Sequence, residues 1–194
     1  MIYSLIVAPL ILSVRTSAEV NEPPQPAVSN KTWENARNMF EVTECDETWV
    51  DASSVGLGYL WFETSAAYNY SSAIAFCERR NSSLIEIDSK EQWNFTITKL
   101  ETISEKVPFS IDAYGENMVK AWWGGASDEE KEGKWVWTKS GVPVQEFVWG
   151  EGQPNNYKRK QNYFCFHKQK GQESFEGNDD IGSTRYYPLC QKKR

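Results

Sequence analysis

The chain has 194 residues, a formal net charge of −6 and 40% hydrophobic residues. This composition suits one globular domain with an extension, and the negative charge excludes an electrostatic basis for nucleic-acid binding as the main function. Residues 1–18 predict a secretory signal peptide, because their apolar run is too short to span a bilayer and Thr16 and Ala18 suit cleavage after Ala18. A signal anchor is the alternative, and Pro9 and Arg15 argue against it.

The remainder divides into three predicted segments. Residues 19–44 are rich in proline, asparagine and acids and predict a linker, residues 45–191 predict one domain, and residues 192–194 form a basic tail. No later run is long enough for membrane insertion. Four glycosylation sequons agree with a secreted, extracellular glycoprotein. They begin at Asn30, Asn69, Asn81 and Asn94.

Two helices are predicted near the start of the domain. Residues 71–80 have apolar residues at helical spacing and basic residues at the end, and Asn81 suits the left-handed turn that often follows a helix. Ser89 is predicted to cap the second helix, with Gln92 three residues later as in a capping box. One apolar stripe follows along that helix at Trp93, Ile97 and Leu100.

Short strands are predicted around and after these helices. Residues 58–64 and 84–87 have strand composition, and beyond residue 120 short apolar runs alternate with glycine turns. The clearest are 135–138, 163–167 and 185–191, of which the last contains Pro188 and is predicted to be an edge or bulged strand. Two helices followed by many short strands indicate an α+β domain.

Five of the nine tryptophans lie between residues 121 and 156, beside glycines or alternating with small and β-branched residues. The order of motifs along the domain resembles the C-type lectin-like domain, from Cys77 in the first helix through Trp122-Trp123-Gly124-Gly125 to Cys190. The resemblance implies an α+β C-type lectin-like fold with a long irregular ligand loop and a Cys77–Cys190 disulfide. We expect the tryptophans to be mainly core residues and not a platform for stacking ligands.

The loop holds the candidate site. In sugar-binding members, Gln153-Pro154-Asn155 corresponds to two side chains flanking a cis proline, which bind Ca²⁺ and hydrogen-bond the vicinal sugar hydroxyls that coordinate it. The resemblance implies that the carbohydrate-binding residues and the calcium ligands are the same set. They are Gln153, Asn155, Gln161, Asn178 and Asp179.

Three departures from the family pattern weaken this site. Gln153 matches the galactose-type motif and Asn155 the mannose-type motif, so the sugar class stays open. Asp179 is the single carboxylate of the set, which predicts weak calcium binding. The inner disulfide of the family falls at Tyr163, or with a shifted gap at Cys165, and at Gly182. Cys45 and Cys165 could therefore bond each other, bond a second chain or remain free.

The loop also carries Lys158-Arg159-Lys160, followed by His167, Lys168 and Lys170. This run predicts either a solvated loop, which we favour, or a basic rim for an anionic glycan or acidic protein. Cys165 and His167 share a strand face, but no orienting group or oxyanion donor is evident, so an enzyme is not predicted. We expect a secreted lectin that binds a glycan or glycoprotein. The alternatives are a calcium-independent module that binds protein or anionic glycan, and a structural module without a dedicated ligand.

Overall fold

The computed structural model describes residues 49–193. The predicted signal peptide, the linker with Asn30, and Cys45 lie outside this part of the chain, so those expectations stay predictions. Within residues 49–193 the chain forms two α-helices and nine strands. They are β1 (Val50–Ala52), β2 (Gly58–Phe62), α1 (Tyr70–Glu78), β3 (Ser83–Leu84), α2 (Lys90–Ser104), β4 (Ser110–Ile111), β5 (Met118–Ser127), β6 (Val136–Trp137), β7 (Tyr163–Gln169), β8 (Glu176–Asp180) and β9 (Tyr187–Lys192).

Helix α1 begins one residue earlier than predicted because Asn69 caps it. The Asn69 side chain accepts a hydrogen bond of 2.9 Å from the backbone N–H of Ser72, which satisfies one of the free donors of the first turn. The helix ends at Glu78, and Asn81 has the predicted left-handed conformation with φ of 50°. Of the three sequon asparagines within residues 49–193, Asn69 is the one whose side-chain oxygen caps a helix.

Helix α2 confirms the predicted cap at Ser89, whose hydroxyl accepts from the Gln92 backbone N–H at 3.2 Å. The Gln92 side chain reaches back one residue further than a capping box requires and accepts from Asp88 N–H at 2.7 Å. Leu100 is fully buried, and Trp93 and Ile97 pack half-buried against the same core. The predicted apolar stripe is therefore confirmed. Across residues 49–193, no helix combines the length and apolarity that a bilayer crossing requires.

The strands form one mixed sheet in the order β1-β2-β9-β5-β7-β8, with β3 paired to β9 and with β4 and β6 paired to β5. The sequence predicts an edge or bulged position for the last strand because of Pro188, and the edge alternative is wrong. Strand β9 lies inside the sheet, parallel to β5 at Trp122–Tyr187 and Trp123–Pro188, and antiparallel to β2 from Leu189 onward. Pro188 is tolerated because it stands where β9 changes partners, and its carbonyl still accepts from Glu63 N–H at 3.1 Å.

The core is aromatic, as predicted. Trp122, Trp123 and Trp137 are fully buried, Trp135 is 8% exposed, and Trp149 packs edge-on against the Trp135 ring with centroids 4.8 Å apart. The glycines beside them allow close approach. A Cβ on Gly124 would lie 2.7 Å from the Phe164 ring, and one on Gly125 would lie 3.0 Å from the Leu84 carbonyl. The tryptophans of this segment therefore fill the core, and the glycines beside them leave room for neighbouring rings and backbone.

The predicted disulfide is present: Cys77 of α1 is bonded to Cys190 of β9. Cys165 forms no disulfide with the described residues and is fully buried. At the two positions where the resemblance places an inner bridge, the Tyr163 ring lies against Gly182, so closely that a Cβ there would be 2.6 Å from the ring. An aromatic contact thus occupies the place of that bridge.

Candidate functional site

The candidate site lies where the loop at residues 150–161 meets the neighbouring strands β7 and β8. Phe164 of β7 is paired with Asp179 of β8, and Cys165 with Asn178, so the predicted Asn-Asp pair stands beside the strand that follows the loop. The Gln153–Pro154 peptide bond is cis, as the resemblance implies. Gly177 is required here, because a Cβ on it would lie 2.1 Å from the Val148 carbonyl.

Asp179 holds the backbone of the loop in place. Its carboxylate is completely buried, and its two oxygens accept from the backbone N–H groups of Asn155 at 3.1 Å and Asn156 at 2.6 Å. Burial raises the pKa of Asp179, and these two hydrogen bonds oppose that shift. The carboxylate therefore organises the loop while carrying the single negative charge of the predicted ligand set.

Two of the predicted ligands share one backbone donor. The N–H of Tyr157 donates to Asn155 Oδ1 at 2.9 Å and to Gln161 Oε1 at 2.6 Å. The backbone N–H of Gln161 in turn donates to Asn156 Oδ1 at 3.1 Å. The side-chain oxygens of Asn155 and Gln161 are thus held close together, next to the backbone segment that Asp179 binds.

The other two predicted ligands are less tightly joined to this network. Asn178 lies beside Asp179 and donates from Nδ2 to the Asp179 carbonyl at 2.8 Å. Gln153 hydrogen-bonds through its backbone N–H to the Gly150 carbonyl at 3.0 Å. Its side-chain oxygen is buried and has no hydrogen-bond partner within the part of the chain that the structure describes. A buried amide oxygen without a donor is unfavourable unless a ligand satisfies it.

The donor set meets some of the requirements of a calcium site and not others. All five side chains offer oxygen, the ligand atom that calcium prefers, and Gln153 Oε1 is available. One carboxylate supplies little charge, and among residues 49–193 no three histidine, cysteine or acidic side chains are grouped as a metal site. By its chemistry this donor set would suit calcium only at the low-affinity end of protein sites, and the calcium site stays a prediction.

A contact missed by sequence reasoning supports the loop from outside. The Tyr114 hydroxyl, in the turn between β4 and β5, donates to the Tyr157 carbonyl at 3.1 Å, and the two rings meet edge-on. Lys158 Nζ lies 4.4 Å from the centre of the Tyr114 ring and 3.4 Å from Glu116 Oε1. Tyr114 and Tyr157 are 43 residues apart, so no local pattern could have indicated this contact.

Only some of the residues in the basic run are exposed cations, as a basic rim would require. Residues Lys158, Arg159 and Lys160 are exposed, which agrees with the favoured solvated loop. Lys168 Nζ instead pairs with Glu101 Oε2 at 2.5 Å in a half-buried position, and burial lowers the pKa of His167 to about 4. His167 is therefore neutral at neutral pH and adds no positive charge to the rim.

The Cys165-His167 pair lacks the properties of a nucleophile and base. Burial raises the pKa of the Cys165 thiol well above its usual range, and the nearby carboxylates Asp180 and Asp179 raise it further. The thiol stays protonated at neutral pH, and the thiolate is the reactive form. This position is a structural cysteine in the core.

Comparison with known proteins agrees with this geometry. Residues 66–192 match the family described as the Lectin C-type domain. Salivary C-type lectin 1 of Aedes albopictus is 30% identical over 127 residues, which are 64% of this chain and 76% of that protein. Hepatic lectin of Gallus gallus is 29% identical over 136 residues, covering 70% of this chain and 55% of that protein.

Solved structures show the same fold. The C-type lectin CEL-I from Cucumaria echinata aligns with a TM-score of 0.58 and 18% identity over 76% of this chain and 96% of that chain. The mouse scavenger receptor C-type lectin carbohydrate-recognition domain aligns with a TM-score of 0.53 and 23% identity, covering 70% of this chain and 88% of that chain. With the sequence match over residues 66–192, these findings lead to one conclusion: the chain belongs to the C-type lectin domain family.

Proposed function

We propose that this protein is a secreted carbohydrate-binding lectin that holds sugar hydroxyls through a weakly bound calcium ion in the loop at 150–161. Membership of the family supports carbohydrate binding at the family level, and relatives named salivary lectins support secretion. Domains of this family and fold are in general not enzymes. The expected partner is a glycan or glycoprotein.

The observation that carries the proposal is the convergence of oxygen atoms around residues 155–157. Asn155 Oδ1 and Gln161 Oε1 share the Tyr157 N–H, Asp179 holds the adjoining backbone, and the buried Gln153 Oε1 has no partner among the described residues. Hydrogen-bond donors and acceptors in one small area are what a pair of neighbouring hydroxyls requires.

In this proposal each side chain has a defined task. Gln153, Asn155, Gln161, Asn178 and Asp179 would hold the ion, which supplies a fixed positive centre for two hydroxyl oxygens. The amide groups of Gln153 and Asn155 donate to and accept from the same hydroxyls, because an amide offers both NH₂ and carbonyl atoms. Asp179 keeps the loop backbone in place, so that little conformational entropy is lost when the sugar binds.

A second function is favoured by a separate observation. The oxygens of Asp179, Asn155 and Gln161 already accept backbone hydrogen bonds, while residues 158–160 present three cationic side chains to solvent. Calcium-independent binding of an anionic glycan or acidic protein through this rim would use the loop as it stands. Such binding weakens with salt, because exposed charges are screened.

A melting experiment with and without calcium tests the proposal. For a dissociation constant near 1 mM, calcium at about 10 mM should stabilise the protein by about 1.4 kcal/mol, a rise of about 3–5 °C. Asp179→Asn should abolish the rise, whereas Asp88→Asn, an exposed control of the same chemistry, should keep it. Unchanged melting of the original protein at high calcium contradicts the calcium site.

Retention on sugar resins separates the two functions. Mannose or galactose resin should retain the protein with calcium and release it with a chelator. On a resin that carries an anionic glycan, retention that ignores the chelator and is lost in high salt would instead support the basic rim. Loss of that retention in a Lys158→Gln, Arg159→Gln, Lys160→Gln variant would support it as well.

A further inference from the structure

A large cavity lies next to the candidate sugar site and is lined by none of its five predicted residues. It has a volume of about 1020 Å³. Its walls come from the first turns of α1, the loop after β5, the β6 turn, the start of β7 and residues 182–183. We call it the Tyr163 cleft, after the residue that begins β7.

One wall of the Tyr163 cleft is a fixed pair of aromatic rings. Tyr163 and Tyr70 have ring centroids 4.2 Å apart, and the Tyr163 ring rests on Gly182, where a Cβ would come within 2.6 Å of it. Burial, together with a hydrogen bond to the Glu129 carboxylate, raises the pKa of Tyr163 to about 12. The ring is therefore held from two sides and carries a neutral hydroxyl.

The lining matches an uncharged, hydroxylated ring better than an ion. Ile74, Val136 and the tyrosine rings supply apolar surface, and Ser71, Thr138 and Ser183 supply hydroxyl groups. The charged residues at the cleft are Glu129, Glu130, Lys131 and Lys134, whose formal charges cancel. A saccharide ring has an apolar C–H face and a hydroxyl edge, and therefore meets both kinds of surface.

The cleft and the sugar site share the same two strands. Gln161 precedes Tyr163 by two residues, a chain distance of at most about 7 Å. Asp180, adjacent to Asp179, pairs with Tyr163, and Gly182 and Ser183 follow directly. A glycan with one residue bound at the loop site therefore needs only a short extension to reach the cleft.

We propose that the Tyr163 cleft is a second saccharide subsite, which takes an uncharged residue of the same glycan without using a metal ion. The proposal rests on the proposed function for the first sugar residue, and it makes the preferred ligand an oligosaccharide. The Tyr70–Tyr163 ring pair forms the aromatic wall, and Ser183 and Thr138 lie at the hydroxyl edge.

Titration calorimetry with matched sugars tests this subsite. Mannose is compared with mannotriose, and galactose with galactotriose, in calcium. For one of the two pairs, the trisaccharide should bind the original protein about tenfold more tightly than the monosaccharide, since the second contact is intramolecular. Ser183→Trp should fill the cleft and remove this advantage without changing monosaccharide affinity. Ser183 is exposed, and its side chain makes no hydrogen bond among residues 49–193. Lys134→Trp, also exposed, provides a second block, and Ser174→Trp, outside the cleft, is the matched control.

The outcomes distinguish the two proposals. Equal affinities for both sugars of each pair, or a trisaccharide advantage that both cleft variants retain, overturns the second subsite and leaves the lectin function standing. If no monosaccharide binds but a trisaccharide shifts the Tyr163 ring signals in ¹³C-tyrosine NMR, and Ser183→Trp removes that shift, the cleft stands and the loop site fails. Absence of binding by all four sugars overturns both.

Discussion

The aromatic framework of β5, β7 and β9 and the ligand loop at 150–161 are built in opposite ways. In the framework, Trp122 and Trp137 are fully buried against apolar neighbours, and the glycines between them are required by contacts with Phe164 and Leu84. In the loop, polar side chains bind the loop's own backbone through Asp179, Asn155 and Gln161. Burial of apolar area stabilises the first, and a few hydrogen bonds of about 1 kcal/mol each shape the second.

The difference teaches where changes in sequence are tolerated. The framework keeps the family pattern, whereas the loop has lost carboxylates and a disulfide, and the Tyr163–Gly182 contact occupies the place of that bridge. Loop residues Asn156, Lys158 and Arg159 also have left-handed backbone conformations, which cost about 1–2 kcal/mol each at Lys158 and Arg159 and less at Asn156. Such a loop persists only because the surrounding structure holds it.

The largest expected effect is in the framework. Trp122→Ala removes a fully buried ring whose Nε1 also donates to the Glu63 carbonyl at 2.9 Å, and should lower the free energy of unfolding by about 3–5 kcal/mol. Denaturant unfolding measures this. Trp49→Ala, at a half-buried ring, should cost clearly less, and equal losses for the two variants would contradict the assignment of Trp122 to the core.

A second framework test is the disulfide. Replacing Cys77 and Cys190 by serine together opens a loop of 113 residues, and should cost about 2–5 kcal/mol. Unfolding with and without reductant measures the same loss in the original protein. Cys165→Ala, at the thiol that forms no disulfide among residues 49–193, is the control: it keeps the Cys77–Cys190 bridge, so reductant should lower its stability as much as that of the original protein. A reductant effect that persists in the double serine variant would contradict this pairing.

His167, on strand β7 of the framework, makes the stability of the protein depend on pH. Its pKa is lowered to about 4 by burial, against an ordinary value near 6.5, so the unfolded chain binds the proton more readily. Stability from neutral His167 is complete above pH 6.5 and is lost as the pH falls from 6.5 to 4. His167→Gln should weaken the dependence of the melting temperature on pH in this range. The difference between the two proteins isolates this group from Asp179 and Asp180, whose pKa values are raised by burial. Parallel curves for both proteins would contradict the buried neutral histidine.

The smallest expected effect sharpens the comparison most. Tyr114→Phe removes the hydroxyl that donates to the Tyr157 carbonyl and keeps both rings, so sugar or calcium affinity should fall about two- to fivefold while the melting temperature changes by about 2 °C or less. Tyr68→Phe, on the framework, is the control and should leave affinity unchanged. An equal loss of affinity and stability in Tyr114→Phe would make Tyr114 a structural residue without a role in the site.

Local sequence patterns predicted those features of the structure that depend on residues close together in the chain. Ser89 caps α2 because its own hydroxyl reaches the Gln92 N–H. Trp122-Trp123-Gly124-Gly125 forms a buried strand because two large side chains fill the core and the two glycines that follow leave room for neighbouring groups. The edge position predicted from Pro188 was wrong, because a proline is tolerated inside a sheet where the strand changes partners, and the partner strands are distant in the chain. The Gln92 side chain accepts from Asp88 N–H, one residue before the position that a capping box implies, because the local geometry at the start of α2 selects that donor.

For the candidate site, the sequence indicated which oxygens are available and that their charge is low. It could not indicate that Tyr157 N–H is shared by Asn155 and Gln161, that Tyr114 supports the loop from 43 residues away, or that Tyr163 and Tyr70 line a cleft. The shared Tyr157 N–H depends on the loop conformation that Asp179 holds from β8. The Tyr114–Tyr157 and Tyr70–Tyr163 contacts join segments distant in the chain, and they form because the folded sheet brings those segments together. By itself, the sequence determined the aromatic framework and the supply of polar groups, because both follow from side-chain type and spacing. Only the tertiary structure decided which groups bind each other and which remain available to a ligand, because that choice follows from distance and direction in space.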